Sequence, residues 1–329
     1  MTIFLIGEAG NHAAKLAEAL GGGEAIVPLP VEAAFSDAHD AAIGADDVVV
    51  SLRLRRPGGK APSFPFLHVP GAGLDGIDFD CLSPATTVCN VFEHEIPIAE
   101  YVLSQMLEHE IGGAALRRSF SPETWSQVYR NRVPHGEIHG RTLGVMGFGR
   151  IGRAIASRAR AFGMRVVAVD AYAKTAPEAD RCLPPEELPA MLAEADYVAI
   201  SCPLTPETRG RIGAAEFGLM KPDAVLVNVS RAEIVDEAAL FAALSERRIG
   251  GAVLDVWYRY PTGTDDVVAP STLPFHALEN AVCTPHSSAW TKALPFRRYR
   301  LIADNIRRFR EGRPLVNVVR PGARQNASA

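Results

Sequence analysis

The chain has 329 residues, 47% of them hydrophobic, which is enough to bury the cores of two α/β domains. Its 34 basic and 38 acidic residues leave a net charge of -4, so it lacks the positive field of a nucleic-acid binder. No apolar run is long enough to span a bilayer, the opening Met1-Thr2-Ile3-Phe4 lacks a signal peptide's basic lead, and cytoplasmic residence is the default expectation.

Short apolar runs at 2–6, 25–29, 47–52, 66–69 and 87–89 predict strands, with a helix over 13–20 between the first two. Between the third and fourth runs, proline and glycine at 57–59 and 62 argue against a helix. The basic residues there, Arg53, Arg55, Arg56 and Lys60, read first as a solvated loop and second as an anion site. Pro97 opens a helix over 97–107, since a first turn does not need its missing N–H. A less regular connection is expected over 119–139.

From 142 onward the alternation is denser. Strands are predicted over 142–146, 165–169, 197–200, 224–228 and 251–256, with another at 282–283. Helices are predicted over 151–162, 185–194, 214–220 and 237–245. This is the pattern of a doubly wound parallel sheet. An amphipathic helix follows over 296–309, and the small and polar residues 321–329 are expected to fray. The five cysteines have no CxxC spacing; neither a disulfide framework nor a metal site is expected, and Cys202 and Cys283 read as buried, inert thiols.

The strongest local signal is Gly147-Phe148-Gly149-Arg150-Ile151-Gly152, directly after a strand and at the head of an alanine-rich helix. Gly147 permits a tight turn, Gly149 lets the backbone approach a pyrophosphate, and Gly152 allows close packing of helix on strand, while the helix's first N–H groups face the phosphate charge. Eighteen residues after Gly152, Asp170 ends the next strand, where a carboxylate accepts from both ribose hydroxyls and repels a 2′-phosphate. NAD is therefore expected over NADP, although Lys174 is near in sequence. Later strand ends should line the same crevice and bring Cys202, Pro203, Thr208, Val229, Ser230, Arg231, Asp255, His286 and Ser288 to the cofactor. Thr208 reads equally as a phosphate contact or a helix N-cap, and Asp255 as a carboxamide contact or the anchor of a neighbouring loop.

Hydride transfer to a 2-oxo acid needs a fixed cation at the substrate oxygens and a proton donor for the nascent alkoxide. Arg231 offers the planar fork for the first task, and His286, after a late strand, titrates in the range for the second.

The segments Gly71-Ala72-Gly73-Leu74-Asp75-Gly76-Ile77-Asp78, Gly147 to Gly152, Pro203-Leu204-Thr205, Asn228-Val229-Ser230-Arg231, Leu254-Asp255-Val256-Trp257 and Thr284-Pro285-His286, in this order, resemble the D-isomer-specific 2-hydroxyacid dehydrogenase family. The helix text Ala99-Glu100-Tyr101-Val102-Leu103 is similar to the glyoxylate/hydroxypyruvate reductase branch. The resemblance implies a Rossmann-type domain over 97–290, binding NAD(H), inserted into a flavodoxin-like α/β substrate domain made of 1–96 and 291–329. It further implies that the backbone at Ala72 and Gly73 holds the substrate carboxylate, that Arg231 clamps carboxylate and carbonyl, that His286 exchanges the proton, and that the protein is a homodimer.

One departure concerns the chemistry directly. Where the family has a glutamate before a proline, this sequence has Tyr260-Pro261. A neutral phenol cannot stabilise an imidazolium as a carboxylate does, so reduction is expected at lower pH than in a glutamate-containing relative, with Glu93, Glu95 or Glu279 as possible substitutes. Arg53 is a further candidate, for a second anionic group on the substrate, and Trp257, Trp290 and Tyr260 for an aromatic wall. Other readings left open are a different organic acid, such as formate, or an NAD(H)-binding sensor with little catalysis.

Overall fold

The computed structural model describes residues 1–261 and 266–322. The chain forms two compact units, Met1–Glu93 with Thr291–Ala329 and His94–Trp290. The first unit begins β1 (Ile3–Ile6), α1 (Ala13–Leu20), β2 (Ile26–Leu29), β3 (Val48–Ser51), β4 (Phe66–His68) and β5 (Thr87–Cys89). The second comprises α2 (Glu95–Ile111), α3 (Gly113–Ser119), α4 (Trp125–Arg130), β6 (Thr142–Met146), α5 (Arg150–Ala161), β7 (Arg165–Val169), β8 (Arg181–Leu183), α6 (Leu188–Glu194), β9 (Tyr197–Ile200), α7 (Ala214–Leu219), β10 (Val225–Asn228), α8 (Glu237–Ser245), β11 (Gly251–Leu254) and β12 (Ala281–Cys283). The chain then returns to the first unit with α9 (Leu294–Arg310) and β13 (Val318–Arg320).

The sheet of the first unit runs β13-β5-β4-β3-β1-β2, parallel except for β13, which pairs antiparallel with β5. Both faces are covered, which is why β1 and β3 read as unbroken apolar runs. Ile3 and Leu5 face Leu16 of α1 and Ile302 and Ile306 of α9, while the alternate residues Phe4 and Ile6 pack with Val49, Leu67 and Val88 on the other side. The basic loop after β3 is not simply solvated. Arg56 is buried, ion-paired with Asp40 at 2.9 Å and bonded to the Ala33 carbonyl at 2.8 Å, Arg55 donates to the Asp75 carbonyl, and Lys60 to that of Asp80.

A buried polar cluster ties this unit together without any signal in the sequence pattern. His68 on β4 is fully buried, its Nδ1 lies 3.2 Å from the Val69 carbonyl, and its Nε2 lies 3.0 Å from Asn305 Nδ2 on α9. Asn305 also bonds both backbone groups of Val316, so every side-chain polar group of the amide is used. Burial pulls the His68 pKa down to about 4, below its unfolded value, so the stability it lends is complete above about pH 6.5 and is lost as pH falls toward 4. The loss at pH 5 is on the order of 2 kcal/mol. Urea unfolding of wild type and His68→Gln at pH 7 and pH 5 should show the gap between them narrowing at the lower pH; a constant gap would refute this assignment.

The second unit holds a seven-stranded, wholly parallel sheet in the order β12-β11-β10-β9-β6-β7-β8. Leu143 and Val145 of β6 pack against α2 and α5, and Met146, Ile200, Leu226 and Leu254 against the helices of the opposite face. This is a two-domain α/β architecture with a Rossmann-type sheet, as expected. Several expectations need correction. The stretch 119–139 contains a helix, α4, and the edge strands β8 and β13 were not anticipated; each is only three residues long and lies at a sheet margin, where the apolar alternation is weak. The helix expected over 185–194 begins with a 3₁₀ turn and becomes α-helical only at Leu188. Residues 323–329, expected to fray, lie outside the described residues.

Candidate active site

In the second unit, strand order reverses between β6 and β9, and the carboxyl ends of these strands form the natural binding crevice of such a sheet. The glycine turn sits there. Gly147 has φ +93°, and a Cβ on it would lie 2.3 Å from the Cys202 amide nitrogen. On Gly152 a Cβ would lie 2.2 Å from the Gly147 carbonyl oxygen, whereas on Gly149 it would meet nothing within 4 Å. Gly149 thus presents open backbone at the head of α5, whose first intrahelical bond runs from Arg153 N to the Gly149 carbonyl at 3.0 Å. The N–H groups of Arg150, Ile151 and Gly152 precede that bond and can face an anion. The turn therefore fits a dinucleotide's pyrophosphate.

Asp170 belongs to the same construction. Its Oδ2 accepts the Phe148 N–H at 2.7 Å, and its Oδ1 those of Tyr172 and Ala173 at 2.8 and 2.9 Å. Burial alone would raise its pKa, but these N–H groups and nearby Arg153 outweigh it and hold the carboxyl below its ordinary range. The carboxylate is thus charged and fixed in direction. On the other side of the turn, Ser201 Oγ donates to the Gly147 carbonyl at 2.7 Å, and Cys202 N to that of Met146 at 3.0 Å. Cys202 is buried, and burial pushes its thiol up to about 11. Cys283 is only half-buried; with Trp257 and His276 it lines a cavity in this unit.

Pro203 and Thr208 share a turn in which Thr208 Oγ1 donates to the Pro203 carbonyl at 2.7 Å and accepts from Thr205 N at 2.7 Å. No helix starts there, so the N-cap reading of Thr208 fails; the next helix, α7, has Gly213 as its cap. Val229 and Ser230 are buried beyond β10, and Ser230 Oγ donates to the Cys202 carbonyl, joining two strand ends. Arg231 follows, with its carbonyl held by Asn228 Nδ2 at 3.0 Å and its Nη1 donating to the Ser230 carbonyl at 2.9 Å.

Asp255, at the end of β11, is fully buried and turned toward the loop that carries the histidine. Its Oδ1 accepts Thr284 Oγ1 at 2.6 Å and Ser287 N at 2.8 Å, and its Oδ2 accepts Ser288 N at 2.8 Å. Thr284 Oγ1 in turn lies 2.7 Å from the Tyr101 hydroxyl of α2. These bonds support the loop-anchoring alternative for Asp255. They enforce a turn in which His286 has φ +55°, a left-handed conformation uncommon for residues other than glycine. His286 is exposed as a residue, yet burial around its ring lowers its pKa; the Asp255 carboxylate raises it and the Arg231 guanidinium lowers it further.

Tyr260 reaches this histidine. Its hydroxyl lies 2.8 Å from His286 Nδ1 and accepts the Trp257 N–H at 3.0 Å. Of the carboxylates considered as substitutes, Glu279 pairs with Arg247 at 3.1 Å and Glu93 with Arg297 at 3.3 Å in the first unit, while Glu95 has its Oε2 buried without a hydrogen-bond partner, 4.0 Å from His94. In the first unit, Asn90 Nδ2 bonds the Ala72 carbonyl at 3.0 Å and Val91 N the Gly71 carbonyl, fixing the loop of Ala72 and Gly73. Arg53 is exposed in that unit, and its loop is pinned to the same glycine-rich segment through Leu54 N and the Gly76 carbonyl at 2.9 Å.

Fold and site together define a dinucleotide-binding α/β protein with an arginine after β10 and a histidine after β12, on either side of β11. Residues 103–288 match the family described as D-isomer specific 2-hydroxyacid dehydrogenase, NAD binding domain, and the chain belongs to this family. It is 31% identical over 312 residues to a glyoxylate reductase of Aeropyrum pernix, covering 89% of this chain and 87% of that one. It is 32% identical over 263 residues to a D-3-phosphoglycerate dehydrogenase of Methanocaldococcus jannaschii, covering 79% of this chain and 48% of that one. The chain spans about half the length of several curated relatives it matches. Its fold is similar to that of a D-lactate dehydrogenase from Lactobacillus jensenii solved with NAD+, with a TM-score of 0.75 at 24% identity over 97% of this chain and 99% of that one. Among the described residues, no helix is long and apolar enough to cross a membrane.

Proposed function

We propose that the chain is an NAD-dependent oxidoreductase acting on a small 2-oxo or 2-hydroxy acid. The observation that carries this reading is the grouping of Arg231, Asp255, Tyr260 and His286 at the ends of β10, β11 and β12, in the same sheet as a glycine turn that fits a pyrophosphate. The dinucleotide, when bound, supplies or accepts the hydride. Arg231 holds the substrate carboxylate and polarises the adjacent carbonyl, as a planar fork of donors does. His286 gives the carbonyl oxygen its proton during reduction and removes it during oxidation. Asp255 fixes the backbone that carries the imidazole. Ala72 and Gly73 are candidate donors to the substrate carboxylate, and Arg53 to a second anionic group. The family's substrate range and the glyoxylate reductase likeness support a small 2-oxo acid such as glyoxylate or hydroxypyruvate. For a homodimer, exposed Leu116, Phe120, Trp125 and Tyr129 of the second unit are the proposed contact surface.

The test is NADH oxidation with glyoxylate, hydroxypyruvate, pyruvate, phenylpyruvate and 2-oxoglutarate, with NADPH in parallel. Turnover of at least one supports the reading; NADH binding with no turnover across the panel would replace it with a sensor. Asp170 makes the cofactor choice testable as well. Asp170→Ser removes the charge that favours ribose hydroxyls over a 2′-phosphate and should move the NADH-to-NADPH ratio of kcat/KM toward NADPH by about ten- to a hundredfold. An unchanged ratio would remove Asp170 from this role.

A further inference from the structure

The proposed role of His286 leaves open where its proton comes from, and the inference below rests on that role. The Trp257 N–H already donates to the Tyr260 oxygen, and that oxygen lies 2.8 Å from His286 Nδ1, a pair in which either atom can be the donor. An imidazole nitrogen is a far stronger base than a phenolic oxygen, so the stronger bond runs from the phenol O–H to Nδ1. This places the imidazole proton on Nε2, the nitrogen not engaged by Tyr260.

We propose that Tyr260 acts through His286 as the proton reservoir of the reduction, so that the reaction runs on a neutral imidazole rather than on an imidazolium. As the carbonyl carbon gains hydride with its electron pair, the Nε2–H bond breaks and that proton bonds to the carbonyl oxygen. The phenol O–H bond breaks in the same relay and its proton bonds to Nδ1, leaving the imidazole neutral and Tyr260 as phenolate. When the hydroxy acid leaves, Nδ1 returns its proton to the phenolate and Nε2 takes one from water, so one solvent proton is consumed per turnover. Oxidation runs the same steps backward.

The surroundings suit this relay. Burial keeps the phenol protonated at rest, while the Trp257 N–H and the Arg231 guanidinium stabilise the transient phenolate; the Asp255 and Glu233 carboxylates oppose it. Around the imidazole, burial and Arg231 disfavour an added proton and Asp255 favours it, with disfavour the net result. A neutral imidazole acting alone would end as imidazolate, whereas the relay ends as phenolate, a much weaker base. His286 is exposed as a residue, so water can reach the imidazole and supply the proton that Nε2 takes. A carboxylate at this position would be ionised, with no proton to give, and would instead hold an imidazolium.

Single-turnover NADH oxidation with a 2-oxo acid should therefore stay level as pH rises through the imidazole's titration and fall only as the phenol ionises. Tyr260→Phe should lose the level region and fall about tenfold per pH unit above the imidazole pKa. Tyr260→Glu should show the same falling limb displaced to higher pH than in Tyr260→Phe, with wild type still level beyond it, the reverse of the order expected from the sequence. Histidine ¹⁵N spectra of the protein without substrate give an independent readout: wild type should show the Nε2–H tautomer of His286 with Nδ1 as acceptor, and Tyr260→Phe should lose that bias. A wild-type profile that falls together with that of the phenylalanine variant, or an Nδ1–H tautomer in wild type, overturns the relay while leaving the dehydrogenase reading intact. Failure of the whole 2-oxo-acid panel to turn over overturns both.

Discussion

If Arg231 holds the substrate as proposed, Arg231→Ala is expected to lower kcat/KM for the preferred 2-oxo acid by about 10³-fold, because a charged two-pronged donor to both carboxylate and developing alkoxide is lost at once. The fold should survive. The backbone there is held by Asn228, and the neighbouring strand ends by Ser230 on the Cys202 carbonyl, so neither bond depends on the guanidinium. NADH affinity should change much less than kcat/KM, since the glycine turn and Asp170 lie at other strand ends. Arg231→Lys should recover only part of the loss, a point charge being unable to grip two oxygens in a fixed plane. Steady-state kinetics with NADH titrations decide it: a drop under about tenfold in kcat/KM would remove Arg231 from the substrate. Loss of the guanidinium should also let the His286 pKa rise, since its charge is one of the influences lowering it.

His286→Asn should lower kcat in both directions by about 10²- to 10⁴-fold, the range for removal of a general acid–base group. Asparagine is the informative replacement because the backbone at 286 has φ +55°, a conformation that asparagine adopts more readily than most residues. The turn is secured by the three bonds to Asp255, none of which uses the imidazole, so thermal unfolding and NADH binding should stay close to wild type. A variant with normal stability and undiminished kcat would exclude the histidine from proton exchange. Asp255→Asn gives a useful contrast, since it retains the imidazole but disturbs the turn that positions it.

Asp255 and Tyr260 show how far a single sequence can be read. Both stood out in sequence as candidates, but their tasks stayed open because each depends on a partner distant along the chain: Ser287 and Ser288 for Asp255, His286 for Tyr260. Thr208 failed as a helix cap for the opposite reason. Its hydroxyl closes a local turn, and the amino acid alone does not say whether a helix follows.

The sequence by itself determined the two α/β sheets, the glycine turn with its aspartate, and the family. Buried parallel strands must be continuous apolar runs, and a turn that approaches a phosphate needs glycine at set intervals, so these features are written in neighbouring residues. Only the tertiary structure decided that Arg56 is an internal ion pair, that His68 and Asn305 form a closed buried cluster, and that a phenol stands against the imidazole. Each of those is a contact between residues far apart in the chain, and local periodicity holds no information about which distant side chain a polar group will meet once the sheets and helices pack.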